Sequence, residues 1–157
     1  MMRQGLELGG MFTMYINGVY IAQFKNAIVD EGLNAILDTH LKETGVRRLW
    51  YMGLVGTGAL ANADTLASHS WTEVTAYTGS RKAVVCGSAA SQIIQTSGTC
   101  DFTINDSTEI FGAFICSVAA GTSGILWSTG LLDGGSVVVV DTNVVSLNYK
   151  LTASRAV

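Results

Sequence analysis

Residues 11–24, MFTMYINGVYIAQF, decide how the rest of the chain is read. Two runs rich in Phe, Tyr, Val and Ile flank Asn17-Gly18, and both residues of that pair tolerate the positive φ of a type I′ turn. The stretch predicts an antiparallel hairpin. It can project as an N-terminal arm or supply two strands of the main sheets. The expected division is an arm over residues 1–25 and a single domain over 26–157.

The next stretch, NAIVDEGLNAILDTHLKETG (residues 26–45), changes period. Val29, Leu33, Ile36, Leu37 and Leu41 fall on one face of an α-helix, which predicts one amphipathic helix with that stripe against a sheet. Asn26 suits the N-cap, Asp30 and Glu31 the first turns, and Gly45 the C′ position. Gly32 lowers helix propensity and marks a close approach to the neighbouring layer. His40, beside the apolar edge, reads as a partly buried helix histidine.

Beyond the helix the pattern is β throughout. RLWYMGLV (48–55) precedes a Gly- and Ala-rich loop, and strand-like runs follow at WTEVTAY, RKAVVCG, SQIIQT, CDFTIN, EIFGAFICSV, GILWSTGLL, SVVVV and VVSLNYKLT. Turn signals such as TSG, NDS, AAGTSG, DGG and DTN separate them. In the last run Val145, Leu147, Tyr149 and Leu151 share one face. EIFGAFICSV is apolar on both faces, as a central strand requires. Many short strands with no second helix predict a mainly β protein, an antiparallel β-sandwich or jelly roll with one N-terminal helix and the hairpin arm.

The 157 residues fit one domain with a substantial core. Only 13% are charged, so neutral Ser, Thr, Asn and Gly side chains or another protein must cover the surface. There is no proline, so strand edges lack that protection and are better covered by a neighbouring subunit. A net charge of −3 with scattered Lys and Arg gives no case for nucleic acid as a partner. No apolar run approaches the ~20 residues of a membrane span, and the first residues do not read as a signal peptide. Cys86, Cys100 and Cys116 are odd in number and irregular in spacing. They read as small buried hydrophobes of a chain made in reducing cytoplasm.

Candidates for chemistry concentrate in DTLASHSWTEVTAY (residues 64–77). Asp64, His69 and Ser70 supply the residue types of a hydrolase relay, but adjacent residues of an extended segment point to opposite faces, which disfavours the pairing. No GxSxG elbow, HExxH or CxxC occurs, and the oxygen-rich NADT and DFTINDSTE do not follow the EF-hand pattern. No catalytic, cofactor-binding or metal-ligating residue is assigned. Trp50, Tyr51, Trp71, Tyr77 and Trp127 could stack on sugars if exposed together, although single strand aromatics belong more often to a core.

GLNAILD (32–38), WYMGLV (50–55), DTLASHSWTEVTAYTGSRKAV (64–84), FGAF (111–114) and DTNVVSLNYKLTAS (141–154) together resemble small virion structural proteins of tailed bacteriophages. The resemblance runs from about residue 26 to the C-terminus and departs at the last motif, where Val140 stands in place of a glycine. It implies a non-enzymatic β-sandwich on the virion exterior, made in the bacterial cytoplasm. In that role it would be a capsid decoration or cement protein, a dimer or trimer bound across subunits of the major capsid protein, with the hairpin of residues 11–24 and the adjoining N-terminus as its clamp. The competing readings are a tail-associated receptor- or carbohydrate-binding module, and a small hydrolase using His69.

Overall fold

The computed structural model describes residues 5–42 and 48–156. Among them are β1 (Gly5–Ile16), β2 (Val19–Ile28), α1 (Asp30–Leu41), β3 (Tyr51–Val55), β4 (Glu73–Val74), β5 (Lys82–Ala83) and β6 (Ile93–Gln95). There follow β7 (Cys100–Thr103), β8 (Thr108–Ile110), β9 (Gly112–Cys116), β10 (Leu126–Leu131), β11 (Val137–Val139) and β12 (Val144–Ala156). The protein is mainly β and antiparallel, with one helix, as the strand spacing predicts.

The main sheet runs β4-β3-β9-β10-β2-β1-β12-β6, with β5 also on β3 and β7 also on β12. Its two ends meet. Thr78 N–H donates to Thr103 O (2.9 Å) and Asn105 N–H to Ala76 O (3.1 Å), while Ser97 N–H donates to Val85 O (2.9 Å) and Gly87 N–H to Gln95 O (3.1 Å). The sheet therefore rolls until its opposite margins hydrogen-bond, and its halves face each other across one core as in a sandwich. Edges that were expected to need a neighbouring subunit here satisfy one another.

The hairpin forms at Asn17-Gly18, with φ of 49° and 79° as a type I′ turn demands. Of its two possible placements it takes the sheet. β1 pairs with β12 over twelve residues, from Gly5↔Ala156 to Ile16↔Val145, and with β2 on its other side. Phe12, Met14 and Phe24 are at most 1% exposed and pack with Met52, Leu54, Phe102, Leu147 and Tyr149. Residue 25 is thus no boundary between an arm and a domain, because truncation there would remove the middle of the core. Within β1, Gly5–Gly9 pairs with β12 alone, and Gly5–Glu7 with Ser154–Ala156 forms a two-stranded ribbon on which Leu6 is exposed.

In β12, Val145, Leu147 and Tyr149 are buried as alternation predicts. EIFGAFICSV divides at Phe111: β8 joins β11 in a separate two-stranded sheet, whereas β9 is buried throughout between β3 and β10. A second apolar cluster, comprising Val29, Val55, Leu66, Trp71, Phe114, Cys116 and Leu126, involves β3, β9 and β10 together with the start of α1 and the 56–71 loop.

The helix is turned from the expected orientation. Its buried residues are Gly32 and Ala35, with Val29 at its start, whereas Leu33, Leu37 and Leu41 are 42%, 56% and 80% exposed. The cause is the close approach that Gly32 signals. A Cβ at Gly32 would lie 2.2 Å from Trp127 O, so no bulky face fits against β10. Val29 N–H donates to Trp127 O (3.2 Å) and Asp30 N–H to Asn62 O (2.9 Å), fixing the first turn. Val29, not Asn26, is the N-cap and makes no side-chain cap bond. Asn26 belongs to β2, and its Nδ2 donates to Tyr149 Oη (3.0 Å). Gly45 lies outside the described residues.

Gly32→Ala sets about 1 kcal/mol of gained helix propensity against a clash with backbone that cannot rotate away. The clash prevails. Urea unfolding is expected to show a net loss of about 1–3 kcal/mol, the opposite sign to a Gly→Ala change in an exposed helix.

Candidate functional site

The 64–81 stretch is locked from within. Asp64, 7% exposed, accepts from Ala61 N–H (2.9 Å) and Trp71 Nε1 (3.1 Å), both at Oδ2. This bond satisfies the indole of a side chain otherwise sunk against Phe114, with ring centroids 4.9 Å apart. His69 stacks on Trp71 at 3.8 Å and 15°, and its Nδ1 lies 2.8 Å from Trp71 O. Ser70 Oγ donates to Ala59 O (2.9 Å). Asp64 and His69 are both engaged by Trp71 and Ser70 by Ala59, so the three do not bond to one another and form no Ser–His–Asp relay.

Past Trp71 the chain enters β4, then turns sharply where Tyr77 N–H donates to Thr75 O (2.8 Å). Val74 and Tyr77, three apart, consequently both enter the main core, which unbroken alternation would forbid. Glu73 meets Arg81 in a bidentate pair, Nε to Oε1 at 2.8 Å and Nη2 to Oε2 at 2.7 Å. Arg81 Nη1 also donates to Val118 O (3.2 Å) and Gly121 O (2.9 Å), and the guanidinium lies 5.2 Å from the Phe114 ring centroid. Arg81 is 6% exposed, and hydrogen bonding to Glu73 raises its pKa further. Burial, with Glu73 adding to it, pushes Tyr77 up to about 12.

Sequence reasoning missed Glu31. It was expected to favour the helix N-terminus, yet its Oε2 accepts from Leu126 N–H (2.7 Å) and Leu66 N–H (3.3 Å). One carboxylate thus joins α1, β10 and the 56–71 loop. Its place in the first turn was the only available signal, because its partners are 35 and 95 residues away.

The five aromatics divide. Trp71 and Tyr77 are core, while Trp50, Tyr51 and Trp127 line a groove of about 590 Å³ with Ile36, His40 and Arg48. Trp50 and Trp127 lie 5.2 Å apart at 51°, and Trp127 Nε1 donates to Tyr149 Oη (3.3 Å). Cys86 also lines the groove and is exposed, which corrects its reading as a buried hydrophobe; Cys100 and Cys116 are buried.

In the oxygen-rich DFTINDSTE, Asp106 Oδ1 accepts from Ser107 N–H (2.8 Å) and shapes the turn. Among the described residues no cluster of three or more His, Cys, Asp or Glu could hold a metal ion, and no helix is long and apolar enough to cross a membrane. No protein-family model, curated protein or solved structure matches the chain.

Replacing Arg81 with Met removes the partner of Glu73, leaves Gly121 O without its donor and leaves Val118 O with only the Cys116 thiol. The expected loss is about 3–5 kcal/mol in urea unfolding, and Arg81→Lys, unable to reproduce the bidentate fork, should recover only part of it.

Alkali provides a second check. Tyr77 holds its proton to about pH 12 when folded against 10.0 ordinarily, and burial moves Cys100 from 9.0 to about 11. A raised folded pKa keeps stability whole below the unfolded value and loses it above, so the Cys100 contribution should fade first and the Tyr77 contribution next. Each loss approaches 2–3 kcal/mol in order of magnitude. Denaturation midpoints measured from about pH 8 to about pH 12 should fall accordingly, and Tyr77→Phe should reduce the later part of the fall, to which Tyr149, also raised by burial, contributes the rest.

Proposed function

We propose that the chain is a non-enzymatic structural protein of a tailed-phage virion, and that it decorates the capsid by binding across subunits of the major capsid protein. The observation that carries this reading is where the polar residues of the phage-like motif are spent. Asp64 holds Trp71, and Glu73 holds Arg81, inside the fold. Side chains that an enzyme would direct at a substrate instead maintain a scaffold.

The outer surface offers neutral polar residues and apolar ones, among them Leu6, Val19, Tyr20, Val138 and Val140, all at least half exposed. Such a surface suits burial against neighbouring subunits, where a cement protein adds stability by mass action. The ribbon of Gly5–Glu7 with Ser154–Ala156 is the contact proposed for the capsid, which keeps the adjoining N-terminus of the expected clamp and drops the hairpin.

The tail-associated reading draws on the groove beside Trp50 and Trp127, whose aromatic lining suits a sugar ring. Copy number separates the two. Quantitative mass spectrometry of purified particles should find hundreds of copies per virion for a decoration protein. A dozen or fewer would transfer the chain to the tail, and absence from particles would end both readings.

A further inference from the structure

Asn17 is the one asparagine of the chain that precedes a glycine. With no Cβ on Gly18, nothing screens its backbone nitrogen from the neighbouring side-chain amide. In an open chain that nitrogen attacks Asn17 Cγ. The new N–C bond closes a cyclic imide, the bond from Cγ to Nδ2 breaks, and ammonia leaves with the proton of the Gly18 N–H. Water then opens the ring. Opening at the Asn17 main-chain carbonyl leaves the backbone running through Cβ and Cγ, as isoaspartate. We propose that Asn17 is a modification site gated by folding: the conversion proceeds while the hairpin is open and stops once β12 closes on the turn.

Two features of the folded turn hold the site shut. Asn17 Oδ1 accepts from Val144 N–H at 2.8 Å, and Asn17 N–H donates to Val144 O at 2.9 Å, so the side-chain amide is clasped to β12. The turn supplies the second constraint. Ring closure needs Gly18 N to eclipse Asn17 Cβ, whereas a type I′ turn, with φ of 49° and 79°, swings that nitrogen to the far side. To react, the chain must break its bonds to Val144 and rotate out of the turn, which the Ile16↔Val19 pair immediately behind it opposes. Asn17 is exposed, so it is the conformation and not the exclusion of water that protects it.

The product does not re-enter the fold. Isoaspartate lengthens the main chain within a two-residue loop, and the geometry that sets β1 against both β2 and β12 is lost. Chains that linger unfolded are thereby withdrawn, while chains that fold promptly keep an intact turn. The gate belongs to the chain itself and holds whatever the chain assembles with.

Ageing the full chain at neutral pH with its thiols kept reduced, either folded or held unfolded in guanidinium, tests the gate. Peptide mapping and isoaspartyl methyltransferase labelling follow position 17. Folding should slow conversion at least as much as it slows hydrogen exchange at the Val144 amide, which must open first, and by about tenfold or more. After removal of denaturant, the isoaspartate fraction, separated by chromatography, should fail to regain native circular dichroism, while unconverted chain regains it. Asn17→Asp keeps the ordinary main chain and an acceptor for Val144 N–H, so it should fold, which assigns the failure to the rerouted backbone and not to the new charge. Equal conversion in the two states, or conversion slowed less than exchange at Val144, would overturn the gate. Native refolding of the isoaspartate chain, or an Asn17→Asp variant that fails to fold, would overturn its consequence.

Discussion

The first strand of this protein is held against its last. Twelve consecutive pairs join β1 to β12, and that ladder has strands on both sides, β2 beyond β1 and β6 and β7 beyond β12. On one side, β2, the first of the strands that run through to β4, follows it across the Asn17-Gly18 turn. Everything to the other side, β6 and β7, hangs on β12. Contacts separated by nearly the whole chain length carry a high loop-closure cost, so they form late and slowly. Until they form, Phe12 and Tyr149, whose rings end 5.1 Å apart, have no common core to occupy.

What the sequence disclosed about this fold depended on how local its cause is. The type I′ turn is written in two residues, and the alternation of Val145, Leu147 and Tyr149 in five. Both are legible without any partner in view. The helix was legible as a helix but not in its orientation. Periodicity weights large apolar side chains, whereas the contact with β10 is decided by Trp127 O, which admits only a glycine at position 32. The same limit hid the end-to-end closure of the sheet, since the bonds between residues 76–78 and 103–105 leave no mark in either segment alone.

The 64–81 stretch shows the converse. Its residue types suggested chemistry, and its spacing argued against a relay. The actual roles lie in long-range partners. Phe114 contacts both Trp71 and Arg81, so an unremarked aromatic on β9 organises both halves of the motif. A part-buried bidentate ion pair capped by two carbonyls is strongly directional. It fixes the 118–121 turn to β4 and so determines the path of the chain between β9 and β10.

The unequal surroundings of the three thiols have a practical consequence. Desolvation raises the pKa of all three thiols, but Cys100 and Cys116 are buried while Cys86 opens onto the groove lined by Trp50 and Trp127. A thiol-reactive dye therefore marks one position without any engineering. Attached there, it sits beside two indoles that quench or shift its emission, and any molecule entering the groove would report its own arrival as a change in colour or brightness.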